Sequence, residues 1–496
     1  MSKKVQAIIA GSIVIVLLVA AIAALVLTQK SESTDKELPS SQNGLISLIE
    51  GVAGELEYVT VKNKNDEYKI ELLGENKWGI KALDGFVQTD TMYNETVESL
   101  NLVYASSIIE ENCTDLAKFG LDSPSLVTEI KYKGKDGYKF TLGDISPDGY
   151  SRYAIKTGQK TVYALSTSSF SALLQTKFDY IVKAVIPALE VGEDGKPLAP
   201  ALDAVKISRP DMAKPLILEK YKAGELTENA ISSTGLKMTS PVNAMVNETN
   251  VQDKIFSLFG LAASGVEAIN PTAQDLTKYG FDKPTSTLEM TYNQTSSIKI
   301  TTGSGVECKH EVGEDLTGHK HQITHYYAMR EGTNIIYTLT KDSVTWMNMQ
   351  PKNLMSSIAV LAPVLDIDSV NFKIGNEEYK INYIKAADKT DTKEITATVN
   401  GKKVDADSAK KLLQLFYSTS IQDVNTMIPT KPANASVTYN YTNGKTDIVE
   451  FFVLEDRNII ISVNGNNAFS GRSGYVEKMI KEVKNLVEGK PIDTGW

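Results

Sequence analysis

Two segments with the same pattern of apolar and polar positions occur 160 residues apart. Residues 115–124 read DLAKFGLDSP and residues 275–284 read DLTKYGFDKP, with six identities in ten positions. The match continues without a gap to Gly143 and Gly303, giving 11 identities in 29 positions. Apolar residues then alternate with polar ones in both copies, as in a strand with one buried face. The pattern predicts an internal duplication built around a helix-to-strand corner.

Each corner carries its own folding signals. We expect Asp115 and Asp275 to cap a single helical turn. Gly120 and Gly280 suit the left-handed residue that ends such a turn. The proline that closes each decapeptide then directs the chain into an extended segment. The same residues would also suit an exposed recognition turn, which is the alternative interpretation.

Helical periodicity indicates five longer helices around these strands. They are predicted at residues 91–104, 169–182, 251–261, 408–416 and 475–487. The order of helix, corner and strands recurs in a second unit, and more weakly in a third that lacks the corner. We therefore divide this part of the chain into repeat units at residues 45–192, 193–360 and 361–490, each an α+β unit with an antiparallel sheet.

The N-terminal region has the pattern of a membrane anchor. Residues 5–27 form an apolar run without a charge, long enough to span a bilayer as a helix. Lys3 and Lys4 precede it, so the positive-inside rule places the short tip, residues 1–4, in the cytoplasm. Residues 28–44 have the polar composition of a tether. A signal peptide cleaved near residues 20–24 is the competing interpretation.

The amino-acid composition and net charge exclude some classes of protein. Apolar residues make up 42% of the 496 residues and charged residues 23%, which is ordinary for folded domains. A net charge of −9, without a run rich in lysine or arginine, argues against a nucleic-acid partner. The predicted fold class is thus α+β: an N-terminal transmembrane helix in the cell membrane, followed by three repeated α+β units with antiparallel sheets that lie outside the cytoplasm.

One insertion in the second unit contains histidines and a cysteine, which are side chains that can bind metal ions. It lies between Gly303 and Tyr327, and it is 14 residues long by comparison with the first unit. Histidine-rich tracts can bind metal ions, but an insertion in one copy also suits a solvated hairpin extension. A disulfide between Cys113 and Cys308 is a further open possibility in an oxidising compartment. The histidines of the insertion are His310, His319, His321 and His325.

No residue set predicts a known chemistry. The sequence lacks a G-x-S-x-G elbow, a P-loop, a G-x-G-x-x-G segment and an H-E-x-x-H helix. We therefore expect no catalytic, cofactor-binding or metal residues and no enzymatic activity. Tyr132, Tyr153 and Tyr163 could form an aromatic platform for a glycan, although tyrosines at alternating strand positions usually pack half-buried.

Recurring motifs give the chain a family resemblance. They are a Trp-x-Ile strand at Trp78, the corner motif, a Leu-Gly strand end at Leu142 and Gly143, and aromatic strands around Tyr153 and Tyr163. Together they resemble the domain-of-unknown-function 4340 family. The resemblance implies a membrane-anchored bacterial protein, often encoded beside the permease and ATPase of an ABC transporter of the gliding-motility type. It implies no catalytic residue and no cofactor.

Two functions are compatible with these features. The first is a non-enzymatic, single-pass membrane protein that serves as an accessory or scaffold of an ABC-type transport complex, with the permease and ATPase as partners. The second is an extracytoplasmic module that binds cell-wall glycan or another surface polymer.

Overall fold

The computed structural model of the protein describes residues 44–51, 54–74, 77–193, 195, 198, 200–227, 229–307, 323–385 and 392–495. These residues form two compact bodies, one that ends at Tyr180 and one that begins at Ile181. The predicted tip, transmembrane helix and nearly all of the tether, at residues 1–43, lie outside the described residues. Within the described part of the chain, no helix combines the length and the apolar character that a membrane crossing requires.

The first body contains one nine-stranded antiparallel sheet. Its strands alternate between buried and more exposed side chains: in the segment 126–132, Leu126, Ile130 and Tyr132 are buried and Val127 is exposed. The strands are β1 (Ile46–Glu50), β2 (Leu56–Asn63), β3 (Glu67–Gly74), β4 (Lys77–Gly79), β5 (Leu102–Glu110), β6 (Leu126–Tyr132), β7 (Tyr138–Ile145), β8 (Ser151–Lys156) and β9 (Val162–Ser166). Across the sheet they lie in the order β4-β3-β2-β6-β7-β8-β9-β5-β1.

The second body contains two further nine-stranded antiparallel sheets. The first of these has β10 (Leu202–Ser208), β11 (Leu216–Lys220), β12 (Leu236–Ser240), β13 (Ala244–Met245), β14 (Gly265–Ile269), β15 (Ser286–Tyr292), β16 (Ser296–Glu307), β17 (Ile323–Arg330) and β18 (Ile335–Thr340). The other has β19 (Ile367–Ile374), β20 (Glu377–Ile384), β21 (Thr396–Val399), β22 (Lys402–Val404), β23 (Asp423–Val424), β24 (Ala435–Tyr441), β25 (Thr446–Val453), β26 (Asn458–Val463) and β27 (Asn466–Arg472).

All three sheets share one strand order. The second reads β13-β12-β11-β10-β15-β16-β17-β18-β14 and the third reads β22-β21-β20-β19-β24-β25-β26-β27-β23, which are identical when counted from the first strand of each. The first sheet matches this order when it is counted from β2, but it lacks the short fourth strand, and β1 lies beyond β5. The predicted α+β class with antiparallel sheets is confirmed, and strands predominate over helices.

The chain enters each sheet along the same edge. In the first body, Gly51 N donates to Asn101 O at 2.8 Å, beside the start of β5. In the second body, Ala263 N donates to Lys183 O at 2.7 Å just before β14. Ile421 N likewise donates to Ser357 O at 3.1 Å just before β23. In each sheet, the segment by which the chain enters therefore lies beside the start of the strand that corresponds to β5. In the first sheet this segment is strand β1.

Helices and short 3-10 turns cover the buried faces. The α-helices are α1 (Asp90–Ser99), α2 (Glu248–Lys254), α3 (Ala273–Lys278), α4 (Ala406–Tyr417) and α5 (Gly474–Val487). The 3-10 turns are Lys81–Leu83, Ala117–Phe119, Ser171–Leu174, Lys177–Tyr180, Phe256–Leu258, Lys341–Ser343, Thr345–Asn348, Pro351–Asn353, Val364–Asp366 and Thr392–Glu394. The helices predicted at 408–416 and 475–487 are confirmed as α4 and α5.

Three predicted helices need correction. The helix predicted at 91–104 stops at Ser99, because the residues from 102 onwards form strand β5, which pairs first with β1 and then with β9. Of the helix predicted at 251–261, α2 ends at Lys254 and only a 3-10 turn follows. The helix predicted at 169–182 is wrong: the segment forms two 3-10 turns, since apolar residues spaced three apart suit a 3-10 turn as well as an α-helix.

In the first two sheets, the 3-10 segment that follows the last strand is held by hydrogen bonds from one side chain. This side chain lies at the end of β2 in the first sheet and directly after β10 in the second. Asn63 Nδ2 donates to Leu173 O at 3.0 Å and to Gln175 O at 2.8 Å. In the second sheet Arg209 holds the corresponding position, and its guanidinium donates to Trp346 O at 2.9 Å and Met349 O at 2.7 Å. Short 3-10 turns leave main-chain carbonyls without internal partners, so these donors satisfy them.

The third sheet replaces this arrangement with an α-helix. Helix α5 forms its own main-chain hydrogen bonds and needs no external donor for them. The position that corresponds to Asn63 and Arg209 is Ile374, opposite Ala435 in the register of β19 and β24. Ile374 lines a groove whose other walls include Val476 and Ile480 of α5 as well as the polar Asn434 and Glu477. The polar side chain of the first two sheets is thus replaced by an apolar one in the third.

The duplicated corner has the same backbone in both copies. Leu121 N donates to Leu116 O at 3.1 Å and Phe281 N to Leu276 O at 2.8 Å, the long bond of a Schellman motif. Gly120 and Gly280 have φ of +67° and +80°, as predicted.

The predicted caps at Asp115 and Asp275 are wrong. The turn at Ala117–Phe119 has no side-chain cap. Helix α3 is capped by Thr272, and Asp275 is the reciprocal member of that capping box. In the second corner, the hydroxyl of Thr272, three residues before Asp275, is therefore the cap that was predicted at the aspartate.

The corner packs an aromatic ring onto the sheet. Phe119 contacts Tyr153 edge-to-face at 4.8 Å between ring centroids, and Tyr279 contacts Tyr327 in the same way at 4.6 Å. The carbonyl of each corner aromatic also lies directly on a strand glycine, where a Cβ would overlap it. The corner is therefore a packing element, and Gly143 and Gly303 are required by its close approach.

We expect Gly143→Ala to lower the free energy of unfolding of the first body by about 3 kcal/mol, because the new Cβ overlaps Phe119 O. Chemical denaturation of the purified protein measures this loss. Gly74→Ala is the matched control in the same sheet, since a Cβ there meets no atom within 4 Å, and its effect should stay under about 1 kcal/mol. Equal losses for the two variants would contradict the close-packed corner.

Candidate functional site

Buried charged side chains are the first place to search for chemistry, because desolvation perturbs catalytic groups. In the described residues, the buried charged side chains are Arg209, Asp366 and Glu482. Each of the three forms hydrogen bonds to the main chain of another segment. Apart from Glu482 Oε1, which has no hydrogen-bond partner in the described part of the chain, their charged atoms bond to neighbouring protein groups, as expected for residues that join segments.

Arg209 is the most fully engaged of the three. Besides the carbonyls of the closing segment, it binds both carboxylate oxygens of Asp211, at 2.9 and 3.2 Å. The hydrogen bond from Arg209 holds the pKa of the Asp211 carboxyl below its usual range. The fully buried Trp346 completes the arrangement by donating from Nε1 to Ser286 Oγ at 3.0 Å.

Asp366 joins the second and third sheets within the second body. Its carboxylate accepts from the main-chain N of Asn229 at 3.1 Å and from the Asn229 side-chain amide at 2.6 Å. Asn229 lies between β11 and β12, whereas Asp366 immediately precedes β19. This carboxylate therefore fixes a loop of one sheet against the start of the next.

Glu482 fastens the C-terminal segment to α5. Its Oε2 accepts from Asp493 N and from the Asn485 side chain, both at 3.0 Å. Its other oxygen lies 4.0 Å from Lys481 Nζ. The side chain is 1% exposed, so an external substrate cannot reach it in this conformation.

The histidine insertion lies largely outside the described residues. His310, His319, His321 and Cys308 all fall within residues 308–322, which the structure does not describe. His325 lies in β17, where its Nδ1 is 3.0 Å from Thr324 Oγ1. Strands β16 and β17 remain paired up to Glu307 and Ile323, the described residues on either side of 308–322. Among the residues with described positions, no group of three His, Cys, Asp or Glu side chains could hold a metal ion.

Cys113 is a free, buried thiol. Its Sγ donates to Asp115 O at 3.4 Å, and it packs with Phe119 and Leu121 beneath the first corner. Burial raises the pKa of the Cys113 thiol, which lowers the thiolate fraction at neutral pH. Its described contacts are those of a packing residue.

The three tyrosines considered for a glycan platform do not come together. Tyr132 is fully buried, with its hydroxyl donating to Leu100 O at 2.8 Å, and burial raises its pKa to about 12. Tyr153 packs on Phe119, on one face of the sheet. Tyr163 pairs with Ala154, the strand neighbour of Tyr153, and therefore lies on the other face. No shared aromatic surface results.

A polar cleft lies between the second and third sheets of the second body. Its volume is about 650 Å³. Its walls combine side-chain amides and hydroxyls with apolar residues and with the charged Asp211 and Lys214. A side-chain amide can both donate and accept hydrogen bonds. The sequence analysis missed this cleft because its residues come from separate turns, of which the Asn-Gly-Asn-Asn turn at 464–467 is the most visible signal. The polar residues that define the cleft are Asn243, Gln350, Asn425, Thr426, Asn466 and Asn467.

An apolar surface lies along β1 and β5 of the first sheet. Leu102 and Tyr104 are 58% and 40% exposed, and they alternate with the buried Val103 and Ala105. We call this surface the β1–β5 margin. The sequence analysis missed it because residues 91–104 were assigned to a helix; the apolar run LVYASSII was the signal for a strand. Its exposed apolar residues are Leu45, Leu102, Tyr104, Ile108 and Ile109.

These features define a tandem repeat protein made of α+β modules, with its buried charges engaged in joining segments. The chain matches the family model DUF4340, a domain of unknown function, over residues 78–192 and 237–443. The protein belongs to the DUF4340 family, as its motifs suggested. The two matches begin in β4 and β12, the third strands of the shared order of the first and second sheets. Neither a curated protein nor a solved structure gives a match.

We expect Arg209→Leu to lower the stability of the second body by about 3 kcal/mol, because two buried carbonyls lose their donor. Guanidinium unfolding monitored by fluorescence measures the change. Lys283→Leu, at an exposed position in the second corner, is the control and should have little effect. A stable Arg209→Leu variant would show that the closing segment does not depend on this side chain.

Proposed function

We propose that this protein is a non-enzymatic, single-pass membrane protein that acts as an accessory or scaffold of an ABC-type transport complex. The observation that carries the proposal is the engagement of Arg209, Asp366 and Glu482 in joining segments of one repeated fold. Within the described part of the chain, the buried charged side chains stabilise the repeated sheets, which suits a scaffold.

The N-terminal sequence supports the membrane part of the proposal. Residues 5–27 have the length and composition of a transmembrane helix, and Lys3 and Lys4 favour a cytoplasmic N-terminus. This orientation places the sheets outside the cytoplasm. Membership of the DUF4340 family supports the choice of partner, because the family resemblance implies association with an ABC permease and its ATPase.

The proposal predicts that the full-length protein, crosslinked in its native membrane and purified in mild detergent, brings with it an ABC permease and ATPase. Mass spectrometry of the purified material identifies them. A version without residues 5–27, secreted with a cleavable signal peptide, is the control and should recover less of both, because it is no longer held at the membrane. Recovery of the full-length protein alone would contradict the accessory role.

The polar cleft favours a second function, binding of cell-wall glycan or another surface polymer. Neutral saccharides present hydroxyls that must find both donors and acceptors when they leave water. The amides of Asn243, Asn466 and Asn467 supply both kinds of group. The Asn425 amide is already bonded to Met427 and to the carbonyl of Asn467. The cleft, rather than the tyrosines of the first sheet, is the surface that suits such a ligand.

If this second function holds, the detergent-solubilised protein should sediment with purified cell wall. The double variant Asn243→Ala and Asn466→Ala should reduce the bound fraction about tenfold, as expected when a few hydrogen bonds are lost. Asn94→Ala, on the exposed side of α1, is the control and should bind like the unmodified protein. Equal binding by the double variant would exclude the cleft as the binding surface.

A further inference from the structure

The β1–β5 margin distinguishes the first sheet from its two relatives. In the second and third sheets the strands that correspond to β5 are β14 and β23. Within these two strands no large apolar side chain is exposed, although Met427 and Ile428, just beyond β23, are 50% and 82% exposed. At the same edge of the first sheet, five such side chains are exposed. Since the three sheets share one fold, folding alone does not require this apolar surface.

Strand β1 adds an open hydrogen-bonding edge to the margin. Within the described residues it pairs only with β5. Its sequence, ISLIE, contains neither lysine nor proline, the residues that commonly protect an edge strand from pairing with another chain. An extended peptide could therefore add to the sheet here through its main chain and place apolar side chains against Leu102 and Tyr104.

Chain length keeps the margin near the predicted anchor. Eighteen residues, 28–45, separate the apolar run from β1. Fully extended, they reach about 60 Å, and as a flexible coil they span about 23 Å on average. Of the three sheets, the first is thus joined to the predicted anchor by the shortest stretch of chain.

Charge favours a protein over the lipid surface as the occupant. Strands β1 and β5 contain no lysine or arginine, and Glu50, Glu110 and Glu111 border the apolar residues. Two lysines reach this border, but Lys118 is paired with Glu110 at 3.2 Å and Lys135 donates to the main-chain oxygen of Glu50 at 3.0 Å. Anionic lipid headgroups attract basic segments and repel acidic ones. Because these two lysines are engaged by the protein itself, the charge at the margin suits a protein interface better than a lipid-binding one.

We propose that the β1–β5 margin is the docking surface for an extended extracytoplasmic segment of an integral membrane partner, bound by strand addition to β1. This inference rests on the proposed accessory function. Main-chain hydrogen bonds to β1 would provide affinity, and the apolar contacts with Leu102 and Tyr104 would provide selectivity.

The test uses the full-length protein, crosslinked and purified from its native membrane. The double variant Leu102→Lys and Tyr104→Lys places two charges on the margin, and we expect recovery of the membrane partner to fall at least tenfold. The matched control is Val87→Lys with Tyr150→Lys, at two exposed apolar positions of the same body outside the margin. It should recover the partner normally. Melting temperatures of both variants establish that they fold.

A milder pair, Leu102→Ser and Tyr104→Ser, decides the question if the lysine variant is unstable; it should also reduce recovery. Normal recovery with a folded margin variant would overturn this inference while leaving the accessory function intact. Failure of the unmodified protein to recover any membrane protein would overturn both. An equal loss of partner recovery in the Val87→Lys and Tyr150→Lys control would show that added charge alone is responsible. It would also contradict the docking role of the margin.

Discussion

The main-chain carbonyls of the closing segments impose the constraint on which the rest of this fold depends. A nine-stranded sheet with one apolar face must be covered, and in the first two sheets short 3-10 turns form part of that cover. Such turns leave carbonyl oxygens that need donors when they are buried. Asn63 and Arg209 provide them from equivalent positions at the end of the first strand. Helix α5 satisfies its own carbonyls, and the third sheet has the apolar Ile374 at that position.

The need to satisfy buried main-chain groups also explains where the buried charged residues lie. Arg209 holds a closing segment, Asp366 joins two sheets, and Glu482 holds the C-terminal segment. The duplicated corner, the most conspicuous motif in the sequence, packs an aromatic ring and a carbonyl against a strand. Differences between the sheets, rather than their shared motifs, therefore point to function. The apolar margin belongs to the first sheet, and the amide-lined cleft arises only where the second sheet meets the third.

The sequence was informative wherever a signal was local. Gly120 and Gly280 predicted the left-handed ends of the corners, and alternation predicted the strand at 126–132. Long amphipathic periods predicted α4 and α5. Prediction failed where tertiary pairing decided the outcome: residues 102–104 continue a helical pattern but pair with β1, and residues 169–182 have apolar spacings that 3-10 turns also satisfy. The margin and the cleft could not be predicted, because each depends on segments that are distant in the sequence.

The central claim is that the first sheet contacts an integral membrane partner through its β1–β5 margin. The most direct measurement is photocrosslinking in native membranes, with a photoreactive aromatic amino acid in place of Tyr104 and, as a reference, in place of the 81%-exposed Tyr150. The account predicts an adduct with an ABC permease from position 104 and little or none from position 150. Adducts with wall polymer or lipid alone, or equal adducts from both positions, would contradict it.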